Sequence, residues 1–229
     1  LVVQGSKVGK GFYSIQETEE DILIKGETQQ AVGLLSFNFQ FEERLSLDWN
    51  LKEAMLKGKV NDEEVELESK VEAGKIKVLL KQGEKVIEKE FPFSPDIIFS
   101  TGNPLVDNLL LVKKIKNQQI KKFYALTKSW GSQYLDEPLL FPITIEREGE
   151  DILSWQEKEM KTERYFVDLA GANGGFIWAD KEKVFKNSLP FAAMDVYHRD
   201  YVGLKTKQIL SSWLFKVVKS ERVFTASRK

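Results

Sequence analysis

The feature that most constrains this chain is a two-residue alternation that runs from about residue 7 to residue 92. In "LLSFNFQFEERLSLDW" Phe37, Phe39 and Phe41 fall on one side, and Ser36, Asn38 and Gln40 on the other. A period of two belongs to a strand, because successive side chains leave a pleated backbone on opposite faces. "AMLKGKV", "EVELESKV", "KIKVLLKQ" and "KVIEKEF" keep that period, separated by the turn clusters "NDEE", "EAGK" and "QGEK". Strands joined by such short turns predict an antiparallel meander. Lys and Glu at alternate positions predict that one face of the sheet is solvated and the other packed.

The period breaks at "FPFSPDIIFSTGNPLVDNLLLVKKIKNQQ". Pro92 and Pro95 end the strand, Asn103 suits an N-cap, and Pro104 suits the first helical position, where its missing amide costs nothing. A helix over 104–116 follows. Leu105, Leu109 and Val112 form its apolar stripe, widened by Val106 and Leu110, and Lys113, Lys114 and Lys116 sit at the negative end of its dipole. A second strand set comes next: "IKKFYALTKSW", "LLFPITIERE", "EDILSWQEKEMKTERYFVDLAG", "GGFIWADKE" and "KVFKNSLPF". The expected fold class is mainly β: an antiparallel curved sheet, forming a half-barrel or open barrel, with one central helix against its concave face. Residues 1–200 make either one continuous β-rich domain or two similar halves, 1–95 and 118–200, joined by the helix. Residues 201–229 are a C-terminal extension, either a helix with Ile209, Leu210, Trp213 and Val217 inward or a final strand.

Composition narrows the function classes. The chain has no cysteine, which excludes disulfides, thiolate metal sites and a cysteine nucleophile. A formal net charge of −1 gives no field to draw nucleic acid or an anionic membrane. The apolar run "PLVDNLLLV" is about half the ~18 residues that a membrane span needs. The chain opens on Leu1-Val2 rather than methionine, which reads as a processed or trimmed product and is compatible with a removed export signal.

"VVQGSKVGKGFYSI" invites comparison with a phosphate-binding loop. A P-loop needs G-x-x-x-x-G-K-[ST], with a hydroxyl for magnesium and a helix after it. Here Gly5 and Gly9 are one residue too close, Gly11 replaces the hydroxyl, and an alternating segment follows. The glycines are expected to serve a hairpin bend, with Tyr13 and Ile15 on one face of the next strand and "ETEED" turning into Ile22 and Ile24.

Other candidate chemistry is sparse. The single histidine, His198, has Asp195, Arg199 and Asp200 beside it. A strand would place His198 and Asp200 on one face, able to ligate one ion, but no third ligand is identifiable. The ordinary expectation is a strand end with ion pairs. Ser132 lacks a nucleophile elbow. Two of the 35 acids could form a glycosidase pair, but sequence does not select them. Trp49, Trp130, Trp155, Trp178 and Trp213 suit core anchors better than stacking platforms. Lys113, Lys114, Lys116, Lys121 and Lys122 form a basic patch that reads as a solvated helix end. "LAGANGGF" is turn chemistry.

On "VVQGSKVGKGFYSI", "PITIEREGEDILSWQEKEMKTERYFVDLAG" and "GGFIWADKEKVFKNSLP", the chain resembles a group of uncharacterised bacterial exported families. Their folds are similar to the half-barrel of the lipoprotein-carrier proteins, in which a curved sheet encloses an apolar groove under a helical lid. The resemblance implies a periplasmic or envelope location and an apolar ligand such as a lipid, and carries over no functional residue. The expected function is therefore a non-catalytic envelope or surface protein that binds an apolar or amphipathic ligand, or serves as a scaffold. Leu105, Leu109, Val112, Phe37, Phe39 and Trp178 are expected to line the groove, with no catalytic residue, metal or cofactor. The alternative is a carboxylate-dependent hydrolase acting on a glycan.

Overall fold

The computed structural model describes residues 2–3, 6–7, 9–32, 34–118, 121–128, 137–169, 173–190, 194–201 and 205–206. Two two-residue strands open the chain, β1 (Val2–Val3) and β2 (Ser6–Lys7). The alternating region then forms β3 (Gly9–Glu17), β4 (Ile22–Val32), β5 (Leu35–Leu45), β6 (Leu51–Val60), β7 (Glu63–Glu72), β8 (Lys75–Gln82) and β9 (Lys85–Pro92). These seven pair in sequence order, every neighbour antiparallel. Local chemistry closes each turn. The Asp21 amide donates to Thr18 Oγ1 at 3.0 Å. Ala73 and Gly74 both take positive φ, 48° and 76°, in the handedness that tight hairpins favour.

The alternation decides which face packs. Phe39, Phe41 and Leu45 of β5 are buried, as are Leu56 of β6, Val65 and Leu67 of β7, and Ile76, Val78 and Leu80 of β8. The opposite face carries cross-strand ion pairs, among them Lys25–Glu42 at 2.8 Å and Lys75–Glu90 at 2.6 Å. Such exposed pairs contribute little each, about 0–1 kcal/mol, but they keep that face in water.

The helix α1 (Pro104–Gln118) starts where the N-cap chemistry places it: Asn103 Oδ1 accepts from the Leu105 amide at 3.1 Å. It is enclosed rather than half-covered, with Leu105, Val106, Leu109, Leu110, Leu111 and Val112 all buried. On either side of it lie β10 (Ile97–Phe99) and β11 (Lys122–Lys128), which pair in parallel. This is the one parallel pairing among the described strands, in a fold that is otherwise antiparallel as expected. A helical crossover returns the chain in the same direction, and three continuously buried residues show no period to announce a strand.

The second sheet continues antiparallel through β12 (Pro138–Trp155), β13 (Lys158–Leu169), β14 (Asn173–Ala179), β15 (Val184–Leu189) and β16 (Met194–Tyr197). Beyond β16 it takes in β1 and then β2, while β17 (Lys205–Thr206) pairs with the far end of β12. The two sheets therefore do not divide at one point in the sequence: the first residues of the chain belong to the second sheet. The predicted helix-or-strand segment around Ile209 to Val217 lies outside the described residues, as do Trp130, Ser132 and Trp213.

One apolar cluster joins the inner faces of both sheets to the helix. A second, of Leu153, Phe176, Trp178 and Phe185, lies on the other face of the second sheet. β14 shows the division within one strand, since Ile177 and Ala179 enter the first cluster while Phe176 and Trp178 enter the second. The sheets are curved and not closed, and they form a β-rich fold around a single helix among the described residues.

Candidate functional site

A cleft of about 700 Å³ opens where the two sheets meet the start of α1. One wall is β3, from Gly9 to Tyr13, with Thr28 and Gln30 of β4 behind it. The opposite wall is the end of β16, with Val196, Tyr197 and His198, and Asn103 to Leu105 form the floor.

Glycine matters at this wall through contact, not through φ. Gly9 and Gly11 lie inside β3, which corrects the expectation that they form a bend; neither has positive φ. A Cβ on Gly11 would stand 2.8 Å from Asn103 Nδ2 and 3.0 Å from the Glu27 carbonyl oxygen. A Cβ on Gly9 would stand 2.7 Å from the Gln29 carbonyl oxygen. The bare backbone lets the N-cap loop of the helix approach the strand. Phe12, between the two glycines and Tyr13, is 48% exposed at the rim, with Lys10 Nζ 6.0 Å from its ring centre.

The helix start contributes shape rather than free donors. Asn103 Oδ1 accepts from Leu105, and the Asn103 carbonyl accepts from Val106 and Asp107, each at 3.0 Å. With Pro104 lacking an amide, the first turn is satisfied within the chain.

His198 follows β16 at a strand end, as the ordinary reading expects, and its amide donates to the Phe185 carbonyl at 2.9 Å. Burial holds its imidazole below the usual pKa; Lys183 acts the same way and Asp200 opposes both. Asp200 Oδ2 lies 3.7 Å from Nδ1. Asp195 is not part of this group. It accepts from the Tyr197 hydroxyl at 2.8 Å and lies 3.2 Å from Lys186 Nζ. Among the described residues no three His, Asp or Glu side chains stand together as metal ligands.

The residues expected to line one groove separate in the structure. Leu105 reaches the cleft floor. Leu109, Val112 and Phe39 are packed in the main core, and Phe37 lies partly buried against it. Trp178 is in the other cluster, its indole Nε1 donating to Asp151 Oδ2 at 2.9 Å and Lys186 Nζ 5.6 Å from its ring.

The five lysines do not form one solvated patch: Lys116, Lys121 and Lys122 are exposed, whereas Lys114 is buried. Lys114 is 1% exposed, donating to the Pro95 carbonyl at 2.6 Å and to Asn50 Oδ1 at 3.0 Å. Lys113 lies over Trp49 at 4.8 Å, and Lys116 pairs with Glu163.

A buried polar cluster surrounds Lys114, and sequence reading missed it. Glu43 of β5 is 1% exposed; among the described residues no side chain donates to its carboxylate, and the Phe99 amide favours its charge only weakly against burial. Burial and then Asp107 push its pKa well up, against the pull of Lys114. Burial pushes Asp107 to about 6, although Thr101 Oγ1 and Ser100 Oγ donate to it at 2.6 and 2.9 Å. Burial also lowers Lys114 to about 8. The signal was present: Glu43 follows Phe37, Phe39 and Phe41 in the inward register, and Asp107 and Lys114 stand two turns apart on one helix face.

A further depression, about 660 Å³, lies on the outward face of the first sheet. Its walls are charged, and pairs such as Arg44–Glu53 at 3.3 Å and Lys77–Glu72 at 2.9 Å satisfy them within the sheet. The cleft between the sheets is the better candidate, because it combines apolar and polar walls and draws on both sheets and the helix.

No family profile and no curated protein sequence matches the chain. A crystal structure of a DUF1089 family protein from Pseudomonas aeruginosa superimposes with a TM-score of 0.48 at 13% identity, over 87% of this chain and 92% of that one. At that level the likeness assigns neither family nor function.

Proposed function

We propose that this is a non-catalytic binding protein whose ligand is amphipathic and occupies the cleft between β3, β16 and the start of α1. The observation that carries the reading is the lining. Phe12, Leu105 and Val196 offer apolar surface beside Tyr13, Thr28, Gln30, Tyr197 and a His198 held largely neutral. Asp200 is the one carboxylate among the lining residues, whereas glycoside hydrolysis requires two flanking the scissile bond. Glu43 and Asp107, the acids with raised pKa, belong to the interior cluster and do not line the cleft. Binding is therefore favoured over the hydrolase alternative. An envelope location belongs to the same proposal and rests on the resemblance to exported families.

Titration calorimetry with lysophosphatidylcholine below its micelle concentration tests this. Phe12→Asp replaces an exposed rim side chain, so the fold should be unchanged while affinity falls roughly ten-fold, in keeping with partial burial of one aromatic side chain. Saturable binding that is indifferent to Phe12→Asp, or no binding at all, would count against the cleft.

A further inference from the structure

The turn between β4 and β5 carries the most exposed large apolar side chain among the described residues, Leu34, at 98%. It belongs to a run, Ala31-Val32-Gly33-Leu34-Leu35, that is apolar throughout. Val32 pairs with Leu35, so the connection is two residues long. The other two-residue turns of this sheet are Asn61-Asp62, Ala73-Gly74 and Gly83-Glu84, which present no large apolar side chain. A polar residue after glycine serves such a turn as well as leucine does, and a side chain in water adds nothing to the core. The fold therefore does not explain Leu34.

The hairpin also stands clear of its neighbours. β3 accompanies β4 only as far as the Gly9–Gln30 row, and β6 accompanies β5 only from the Phe37–Val60 row. The rows Ala31–Ser36 and Val32–Leu35 continue beyond both. Ser36 is held from one side by Asn61, whose amide donates to its carbonyl at 2.7 Å. Two rows and the turn carry Leu34 about 7–10 Å past the neighbouring ladders. That span matches the ~5–10 Å depth to which peripheral apolar elements enter the boundary between headgroups and acyl chains.

Behind the tip lies a polar collar. Lys10, Gln29, Gln30, Asn38, Lys59 and Asn61 line a depression beside the hairpin, with no carboxylate in its walls. Amide and ammonium groups suit the phosphate level of a bilayer. Asp62, Glu63 and Glu64 stand at the next turn, so apolar insertion rather than charge drives the contact. A partner protein fits less well. A stable interface takes about 800 Å² from each side, whereas Ala31, Leu34 and a half-buried Leu35 offer one small projection. A bilayer needs no matching surface.

We propose that the β4–β5 tip is a membrane-docking element, which inserts Leu34 and its neighbours into the interface of a phospholipid bilayer while the lysine and amide collar meets the headgroups. The contact is peripheral, since no helix among the described residues is long and apolar enough to cross a membrane. Lys10, Gln29 and Gln30 line the cleft as well, so docking brings its mouth to the lipid surface. The docking itself does not depend on what the cleft binds.

The chain has no cysteine, so one introduced thiol takes a label alone. In the full chain, Leu34→Cys carrying the environment-sensitive dye NBD should brighten and shift to the blue with phosphatidylcholine vesicles, and a spin-labelled lipid should quench it. The same dye on Glu19→Cys, in the turn at the other end of β4, should do neither. Without label, Leu34→Asp should lower the vesicle partition coefficient by roughly ten-fold, as replacing one inserted leucine by a charge requires, with the melting temperature unchanged. No spectral change at the tip, an equal change at both labelled positions, or partition indifferent to Leu34→Asp overturns the proposal. So does a change at the tip that follows protein concentration without lipid, which assigns the tip to a second copy of the chain.

Discussion

Asp107→Asn should remove a pH dependence of stability that the fold builds into its core. The Asp107 carboxyl ordinarily titrates at 3.8 and is raised to about 6 in the folded chain, chiefly by burial. Between those values the folded state holds a proton that the unfolded state has released. The stabilising contribution is fully present below about pH 3.8, declines as pH rises through about 6, and is absent above it. A rise from 3.8 to about 6 corresponds to about 3 kcal/mol. Asparagine keeps an oxygen for the Thr101 amide, now 2.9 Å from Oδ1, and the Ser100 hydroxyl can turn to accept from the new amide group. The variant has no proton to lose at this position. Asp107 also raises Glu43, so its removal lowers that group and reduces the slope further. Surface acids such as Glu72, held at about 2 by hydrogen bonds from Lys70 and Lys77, act in the opposite sense at lower pH and are common to both proteins. Urea denaturation at about pH 4 and pH 7 should therefore show the wild type losing about 3 kcal/mol more than the variant over that interval. Equal losses for the two proteins would falsify the role of Asp107.

Lys114→Met should cost about 3–5 kcal/mol near neutral pH, because Glu43 loses its opposing charge while Asn50 and Pro95 lose a donor; the cost should shrink as pH falls and the raised Glu43 carboxyl takes up a proton, which urea denaturation over a pH series reads. Gly11→Ala should lower stability by about 1–3 kcal/mol through the contact with Asn103, measurable as a drop in melting temperature. A Cβ on Gly74 has open space, so any cost of Gly74→Ala must come from its φ of 76° alone, and the two variants separate contact from conformation. Leu109→Ala should cost about 2–5 kcal/mol, and the helix amides from Val106 to Lys114 should exchange only on global unfolding, since both sheets enclose them; faster local exchange would restore the lid expected by resemblance to the carrier proteins. His198→Ala should leave stability to urea unchanged within about 0.5 kcal/mol, since the polar contacts of its imidazole are to the side chain and amide of the exposed Asp200.

What was legible in the sequence is what a local period encodes. β5 to β9 alternate over eight or more residues each, so their faces, turns and order can be read directly. The helix start was equally plain, because Asn103 and Pro104 act on their immediate neighbours. β10 was not legible, having three buried residues and no alternation, and with it went the one parallel pairing. The buried cluster was half legible. Register alone sends Glu43 inward between Phe41 and Leu45, and an acid in an apolar register should prompt a search for its counter-charge. That the partner is Lys114 is a matter of strand-to-helix packing, on which periodicity is silent; by position Lys114 looked like a solvated helix end. The cleft lay furthest from view. Lys10 and His198 are remote in sequence, and β1, two residues long, is too short to carry any period. Yet its two ladders set the register of β16 against β2 and so tie the first residues of the chain to the second sheet.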